Sequence, residues 1–180
     1  GGPGEPCPGN YFRPNNNVTR AQLAKIVAIA AAFTDPVPST QQTFEDVPPS
    51  SGLWLYVERA VGHGLINGYP CGGNAFEPCN APLNRPYFRP FNNATRGQIS
   101  KIVGTAAGFT EAVASTQQTF EDVPTGSTFW EYVERMATRG VIGGYPCGGP
   151  GEPCNAPGNR PYFRPNNNAT RGQISKITAQ

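Results

Sequence analysis

Apolar positions recur at helical spacing in four stretches of the chain. Trp54, Val57 and Val61 stand at i, i+3 and i+7, and Trp130, Val133 and Ala137 repeat that order. Leu23, Ile26, Val27 and Ala30 fall at i, i+3, i+4 and i+7, as do Ile99, Ile102, Val103 and Ala106. Such spacing predicts short amphipathic helices, each with one stripe turned toward a core. Start signals precede the longer pair. Thr19 with Gln22, Thr95 with Gln98 and Thr170 with Gln173 fit the S/T-x-x-E/Q capping box, which places a further helix near the C-terminus. Gly64 and Gly140 follow the Trp helices as stops, because glycine takes a left-handed conformation at little cost. A short apolar step, Leu65-Ile66 or Val141-Ile142, then enters Gly-Tyr-Pro-Cys. Residues 34–43 and 110–119 are linkers rich in Ser, Thr and Gln.

These elements are copies. Tyr11-Phe12-Arg13-Pro14 recurs at Tyr87 and again at Tyr162, each time leading through an Asn run into the capped helix. Phe44-Glu45-Asp46-Val47-Pro48 recurs as Phe120-Glu121-Asp122-Val123-Pro124. The chain therefore divides into a partial repeat with its linker, 1–43, a complete repeat with its linker, 44–119, and a second complete repeat, 120–180. The predicted fold class is mainly α: tandem helix–loop–helix repeats with long loops rich in Pro, Gly and Asn. A two-helix unit is too small to cover both its faces, so neighbouring units must pack together. The partial repeat lacks its own first helix, and its apolar stripe needs a partner from elsewhere.

Composition narrows the function. Charged residues make up 14% and the net charge is +2, which gives no electrostatic case for nucleic acid. The 22 Gly and 20 Pro imply turns, yet the interspersed aliphatic and aromatic residues argue against disorder. No apolar run reaches the ~18 residues of a membrane helix. The chain opens Gly1-Gly2-Pro3, as a processed or excerpted product would. Cys71 and Cys79 flank one loop, and Cys147 and Cys154 flank its copy. A disulfide in each loop implies an oxidising, extracellular setting. A zinc site would need four ligands, and each loop offers two thiols without a nearby His. Cys7 matches Cys154 but its partner position falls before Gly1, so it is expected to be unpaired or to bridge between molecules.

In order, the motifs are Phe-Glu-Asp-Val, the helix Trp, Gly64-Leu65-Ile66-Asn67-Gly68-Tyr69 or Gly140-Val141-Ile142-Gly143-Gly144-Tyr145, Phe-Arg-Pro, and Thr-Arg-Gly-Gln. This order, found twice and covering nearly the whole chain, resembles the S-layer homology module. Gln22, Gln98 and Gln173 stand where that family has Glu, and Cys71-Gly72 and Cys147-Gly148 replace its Asp-Gly turn. The resemblance implies an extracellular cell-surface protein without catalysis or cofactor, anchored through acidic or pyruvylated cell-wall polysaccharide. It also implies three-pronged packing with grooves between modules. The binding arginine maps onto Arg20, Arg96 and Arg171, the groove tryptophan onto Trp54 or Trp130, and the Gly-Tyr turn onto Gly68 and Gly144.

Each of these residues also has a plainer role. An arginine fork suits carboxylate or pyruvyl oxygens, yet it equally suits Asp46, Asp122 or a helix-end carbonyl. A cation in a first helical turn opposes the helix dipole, so something must offset that cost. Trp54 and Trp130 can stack on sugars or fill a small core. Asn17, Asn93 and Asn168 open N-x-T sequons and are candidate glycosylation sites, although Asn favours turns and Thr caps helices regardless. An enzyme is not expected. The sole histidine, His63, is Arg139 in the second copy, and no nucleophile–base pair or metal set emerges. Two functions remain: a wall-polysaccharide anchor, or a self-assembling subunit of a filament, sheath or surface layer. In the second, the partial repeat completes its packing head-to-tail with another copy and forms a homo-oligomer or polymer.

Overall fold

The computed structural model describes residues 4–5 and 9–178. Five helices follow in order: α1 Arg20–Ala30, α2 Trp54–Gly62, α3 Arg96–Ala106, α4 Trp130–Thr138 and α5 Arg171–Thr178. Among the described residues there are no strands, only isolated bridges. The disulfides Cys71–Cys79 and Cys147–Cys154 are both formed. Cys7 lies outside the described residues.

α1, α3 and α5 begin alike. Each cap threonine accepts from the glutamine backbone N–H, and each glutamine side chain accepts from the threonine N–H in return. The three entry segments then close a ring. Val18 N–H donates to the Ala169 carbonyl, Ala169 to Ala94, and Ala94 to Val18, at 3.0, 3.0 and 2.9 Å. The first helical N–H groups, which no intrahelical partner can satisfy, are met across this ring. Arg20 N–H donates to Asn92 O, Arg96 to Asn167 O, and Arg171 to Asn16 O. The side chains of Val18, Ala94 and Ala169 are buried at its centre. The result is a pseudo-threefold arrangement of the three capped helices.

α2 packs on α1 and α4 on α3, so each Trp helix joins the capped helix that precedes it in sequence. The stripe of the partial repeat is thus covered from within the chain, which corrects the expectation of an outside partner. The contact tolerates exchange of bulk. Where α1 carries Ala21, the residue before α2 is Leu53; where α3 carries Gly97, the residue before α4 is Phe129. A Cβ on Gly97 would lie within 2.8 Å of three Phe129 ring carbons, so only glycine fits.

Both linkers are held to the Trp helices. Buried Glu58 accepts from Thr43 N–H (2.8 Å), Thr43 Oγ1 (2.7 Å) and Gln41 Nε2 (2.8 Å), and buried Glu134 is served likewise by Thr119 and Gln117. Each helix ends on a second tie. His63 stacks on Phe33 and meets Asp35; in the copy, Arg139 stands over Phe109 and donates to Glu111 at 2.8 Å. The Arg139 hydrogen bond is the main cause that holds the Glu111 carboxyl down at about 2 from 4.5.

Two predictions come from this packing. Gly97→Ala should destabilise the protein, since overpacking costs ~1–3 kcal/mol against a helix-propensity gain of up to ~1. Adding Phe129→Leu should restore stability, and Gly172→Ala, whose Cβ would meet Pro14 at 3.2 Å rather than a ring within 2.8 Å, should cost less than Gly97→Ala; urea melts of the variants decide. The folded Glu111 value lies below its unfolded one, so the stabilisation from this pair is present above about pH 4.5 and is lost as pH falls through about 2. An NMR titration should place the Glu111 midpoint there and return it toward 4.5 in Arg139→Ala.

Candidate functional site

The threefold arrangement leaves three related hollows, each between the arginine of one capped helix and the Gln and Ile side of the next, with a lysine joining in the first and third. The first, about 300 Å³, brings together Arg20, Asn67, Gly68 and Tyr69 with Gln98, Lys101 and Ile102, above Leu65, Ile66 and Phe129. The second holds Arg96, Ile142 and Phe163 against Gln173 and Ile177 and is narrowed to about 20 Å³. The third, about 270 Å³, sets Arg171 and Phe12 against Gln22, Lys25 and Ile26. No Asp or Glu lines any of the three. A larger apolar hollow of about 540 Å³ lies between the C-terminal ends of the capped helices.

The arginines differ in what occupies them. Arg20 donates from Nε to Phe88 O (2.8 Å) and from Nη2 to Asn67 O (3.0 Å). Arg96 does the same to Phe163 O (2.7 Å) and Gly143 O (2.9 Å). Each also sits over two aromatic rings, Tyr69 and Phe88, or Tyr145 and Phe163. These contacts offset the opposition of the helix dipole. Burial is the main cause that pushes both guanidinium pKa values down, with Arg89 or Arg164 adding to it and Tyr69 or Tyr145 opposing. Neither arginine pairs with Asp46 or Asp122. Those carboxylates accept instead from the backbone N–H groups of Phe88 and Arg89, or Phe163 and Arg164, at 2.6–2.8 Å. The Arg171 side chain has no hydrogen bond or ion pair among the described residues and only faces the Phe12 ring.

Other residues singled out in the sequence lie elsewhere. The Trp54 and Trp130 indole N–H groups donate to the linker carbonyls of Gln41 and Gln117, both at 2.8 Å, and neither ring lines a groove. Gly68 and Gly144 are pressed under Phe44 and Phe120, where a Cβ would come within 2.6 Å of the ring. Asn17, Asn93 and Asn168 are exposed around the rim of the backbone ring. Lys25 and Lys101 were not singled out, although a lysine stands five residues after the helix arginine in every copy, at Lys25, Lys101 and Lys176. That repetition was the available signal. Among the described residues no cluster of His, Cys, Asp and Glu could hold a metal, and no helix is long and apolar enough to cross a membrane.

The S-layer homology domain model matches residues 8–24, 43–99 and 119–174, well over half of the chain. The chain belongs to the S-layer homology domain family. It is similar to a cellulosome-anchoring protein of Acetivibrio thermocellus, 28% identical over 144 residues covering 77% of this chain and 29% of that protein. It is also similar to cell surface glycoprotein 1 of the same organism, 25% identical over 150 residues covering 78% of this chain and 6% of that one. The chain thus spans less than a third of either relative. Family and relatives place it at the cell surface or cell wall, a setting that the disulfides fit.

The arginines should separate by stability. Arg20→Ala and Arg96→Ala each remove two charged hydrogen bonds to backbone carbonyls and should cost about 2–4 kcal/mol. Arg171→Ala should cost less than about 0.5 kcal/mol. Equal losses in chemical denaturation of all three variants would refute the distinction.

Proposed function

We propose that this chain is a non-enzymatic anchoring module that binds an acidic cell-wall polysaccharide in its first and third grooves. The observation that carries the reading is the repeated pairing of Arg and Lys in grooves without carboxylates: Arg20 with Lys101, and Arg171 with Lys25. Cations lining an apolar cleft without internal counter-charge favour an anionic ligand with a hydrophobic face, which describes a carboxylated or pyruvylated sugar. Arg171 has its whole fork to offer, and Arg20 supplies charge from a fixed position. Asn67, Gln98 and Gln22 supply neutral hydrogen bonds beside them. In this reading Arg96 and its narrowed groove are chiefly structural. Trp54 and Trp130 hold the linkers, and Gly68 and Gly144 let Phe44 and Phe120 pack closely, rather than grip sugar. The repeats at 44–119 and 120–180, with the partial one at 1–43, act as one binding body. The name of the cellulosome-anchoring relative supports an anchoring role.

Self-assembly is the weaker reading. Its argument was that residues 1–33 must borrow a helix from another copy, and α2 already covers α1. Glycans on Asn17, Asn93 and Asn168 are compatible with their exposure and belong to the proposal only.

Pelleting with purified wall polysaccharide tests the function. Wild type should pellet at low salt and release as ionic strength rises. Lys25→Glu with Lys101→Glu should lower the affinity at least about tenfold, roughly 1.4 kcal/mol, with an unchanged melt. Undiminished pelleting of that folded variant would remove the grooves from consideration.

A further inference from the structure

We propose that Glu77 and Arg89 are positioning residues of the first groove: together with the Cys71–Cys79 bridge they hold the Tyr69 ring in place as its wall, and so set the affinity of that groove for an anionic sugar. This deepens the polysaccharide reading and rests on it.

The frame starts in the sequence. Tyr69-Pro70-Cys71 and Glu77-Pro78-Cys79 are two arms of equal length, joined at their cysteines by the disulfide. The proline in each arm fixes a backbone angle, which leaves little slack between the bridge and either end. The loop is also tied within itself. Gly72 N–H donates to the Glu77 carbonyl at 2.7 Å, and Asn74 Nδ2 donates to Glu77 Oε2 at 2.8 Å. The Tyr87 hydroxyl donates to the Pro78 carbonyl at 3.0 Å. The Glu77 side chain is thereby held in place, and it is only 11% exposed.

Arg89 closes the frame from the other side. Its Nε and Nη2 donate to the two Glu77 carboxylate oxygens at 2.6 and 2.7 Å, the parallel fork that gives such pairs their geometric specificity. Its own N–H is fixed on Asp46 at 2.7 Å. Held at both ends, the guanidinium stands 3.9 Å from the centroid of the Tyr69 ring, well inside cation–π range. The arms are thus joined twice, covalently through the cysteines and again through Arg89.

Tyr69 transmits this to the groove. It lines the first hollow beside Arg20, whose guanidinium stands 5.2 Å from the same ring, and Arg89 itself does not reach that hollow. The Tyr69 backbone is set by its exchange of hydrogen bonds with Tyr87. Its hydroxyl makes none among the described residues, so the direction of the ring rests on its stacking contacts.

The second repeat supplies a control. Glu152, Arg164 and Tyr145 repeat the brace at 2.6, 2.8 and 3.9 Å behind the Cys147–Cys154 bridge. There the Tyr145 hydroxyl has a second hold on Gln173, at 3.4 Å, and the groove that Gln173 lines is narrowed to about 20 Å³. The same brace therefore stands beside an open groove in one repeat and a narrowed one in the next.

The test uses the intact chain carrying Lys25→Glu, which silences the third groove, with purified wall polysaccharide as the probe. Glu77→Gln and Glu152→Gln should lower the urea midpoint alike. Only Glu77→Gln should weaken pelleting, by about three- to tenfold, the worth of a partly desolvated cation–π contact. Arg89→Lys, which keeps the charge without the fork, should fall between. Cys71→Ser with Cys79→Ser should weaken binding as Glu77→Gln does, and Cys147→Ser with Cys154→Ser should not. In NMR spectra without ligand, the Tyr69 ring signals should move in Glu77→Gln and stay in Glu152→Gln. Equal loss of affinity in the two Glu variants would reduce the brace to a structural part and overturn the proposal, as would unchanged pelleting in Glu77→Gln. A parent chain that does not pellet would defeat the polysaccharide reading instead; the brace is then judged on the Tyr69 ring alone, and an unmoved ring removes it.

Discussion

Everything in this molecule turns on a ring of three backbone hydrogen bonds. Val18, Ala94 and Ala169 lie about 75 residues apart in sequence, yet each donates to one and accepts from another. The ring fixes the origins of three helices, and the capping boxes fix their direction. Once origin and direction are set, the hollows between arginine and lysine sides follow as geometry. Small side chains are required at the centre, because three chains converge there and a bulky group would force them apart.

Around that fixed centre the copies vary by compensation. Where one copy has Ala21 and Leu53 the next has Gly97 under Phe129, and His63–Asp35 matches Arg139–Glu111. The second pair of exchanges preserves a side-chain contact to a carboxylate, made by a group stacked on an aromatic ring, rather than a residue type. The lone histidine thus has a structural part in the first copy. Its place is held equally well by an arginine.

Much of the architecture could be read from the sequence, because it is local. The capping threonines and glutamines act within one helical turn, the stops at Gly64 and Gly140 are matters of one φ angle, and the cysteines pair across short loops. The helix spans expected at 54–61 and 130–137 differ from α2 and α4 by one residue. Ring closure was not legible, since it pairs backbone groups whose side chains carry no signature of it. For the same reason the cover for α1 was sought outside the chain. The grooves were half-legible. Their arginines stood out through the repeat, but whether a guanidinium is committed to carbonyls or left open depends on which neighbour the fold delivers. Arg20 and Arg171 look identical in sequence and differ in this respect.

The linkers carry a consequence of their own. Read as composition, residues 34–43 and 110–119 are polar tethers of the sort that secreted peptidases cut. In the fold, Glu58 and Glu134 grip their far ends with help from the tryptophan indoles at Gln41 and Gln117, and Arg59 and Arg135 hold the carbonyls of Asp35 and Glu111 near their starts. A peptidase must draw out several residues in extended form before it can cleave, and here that means first breaking a buried carboxylate's bonds. The stretches that composition marks as loose are thereby fastened at both ends, at Asp35 or Glu111 and at Gln41 to Thr43 or Gln117 to Thr119.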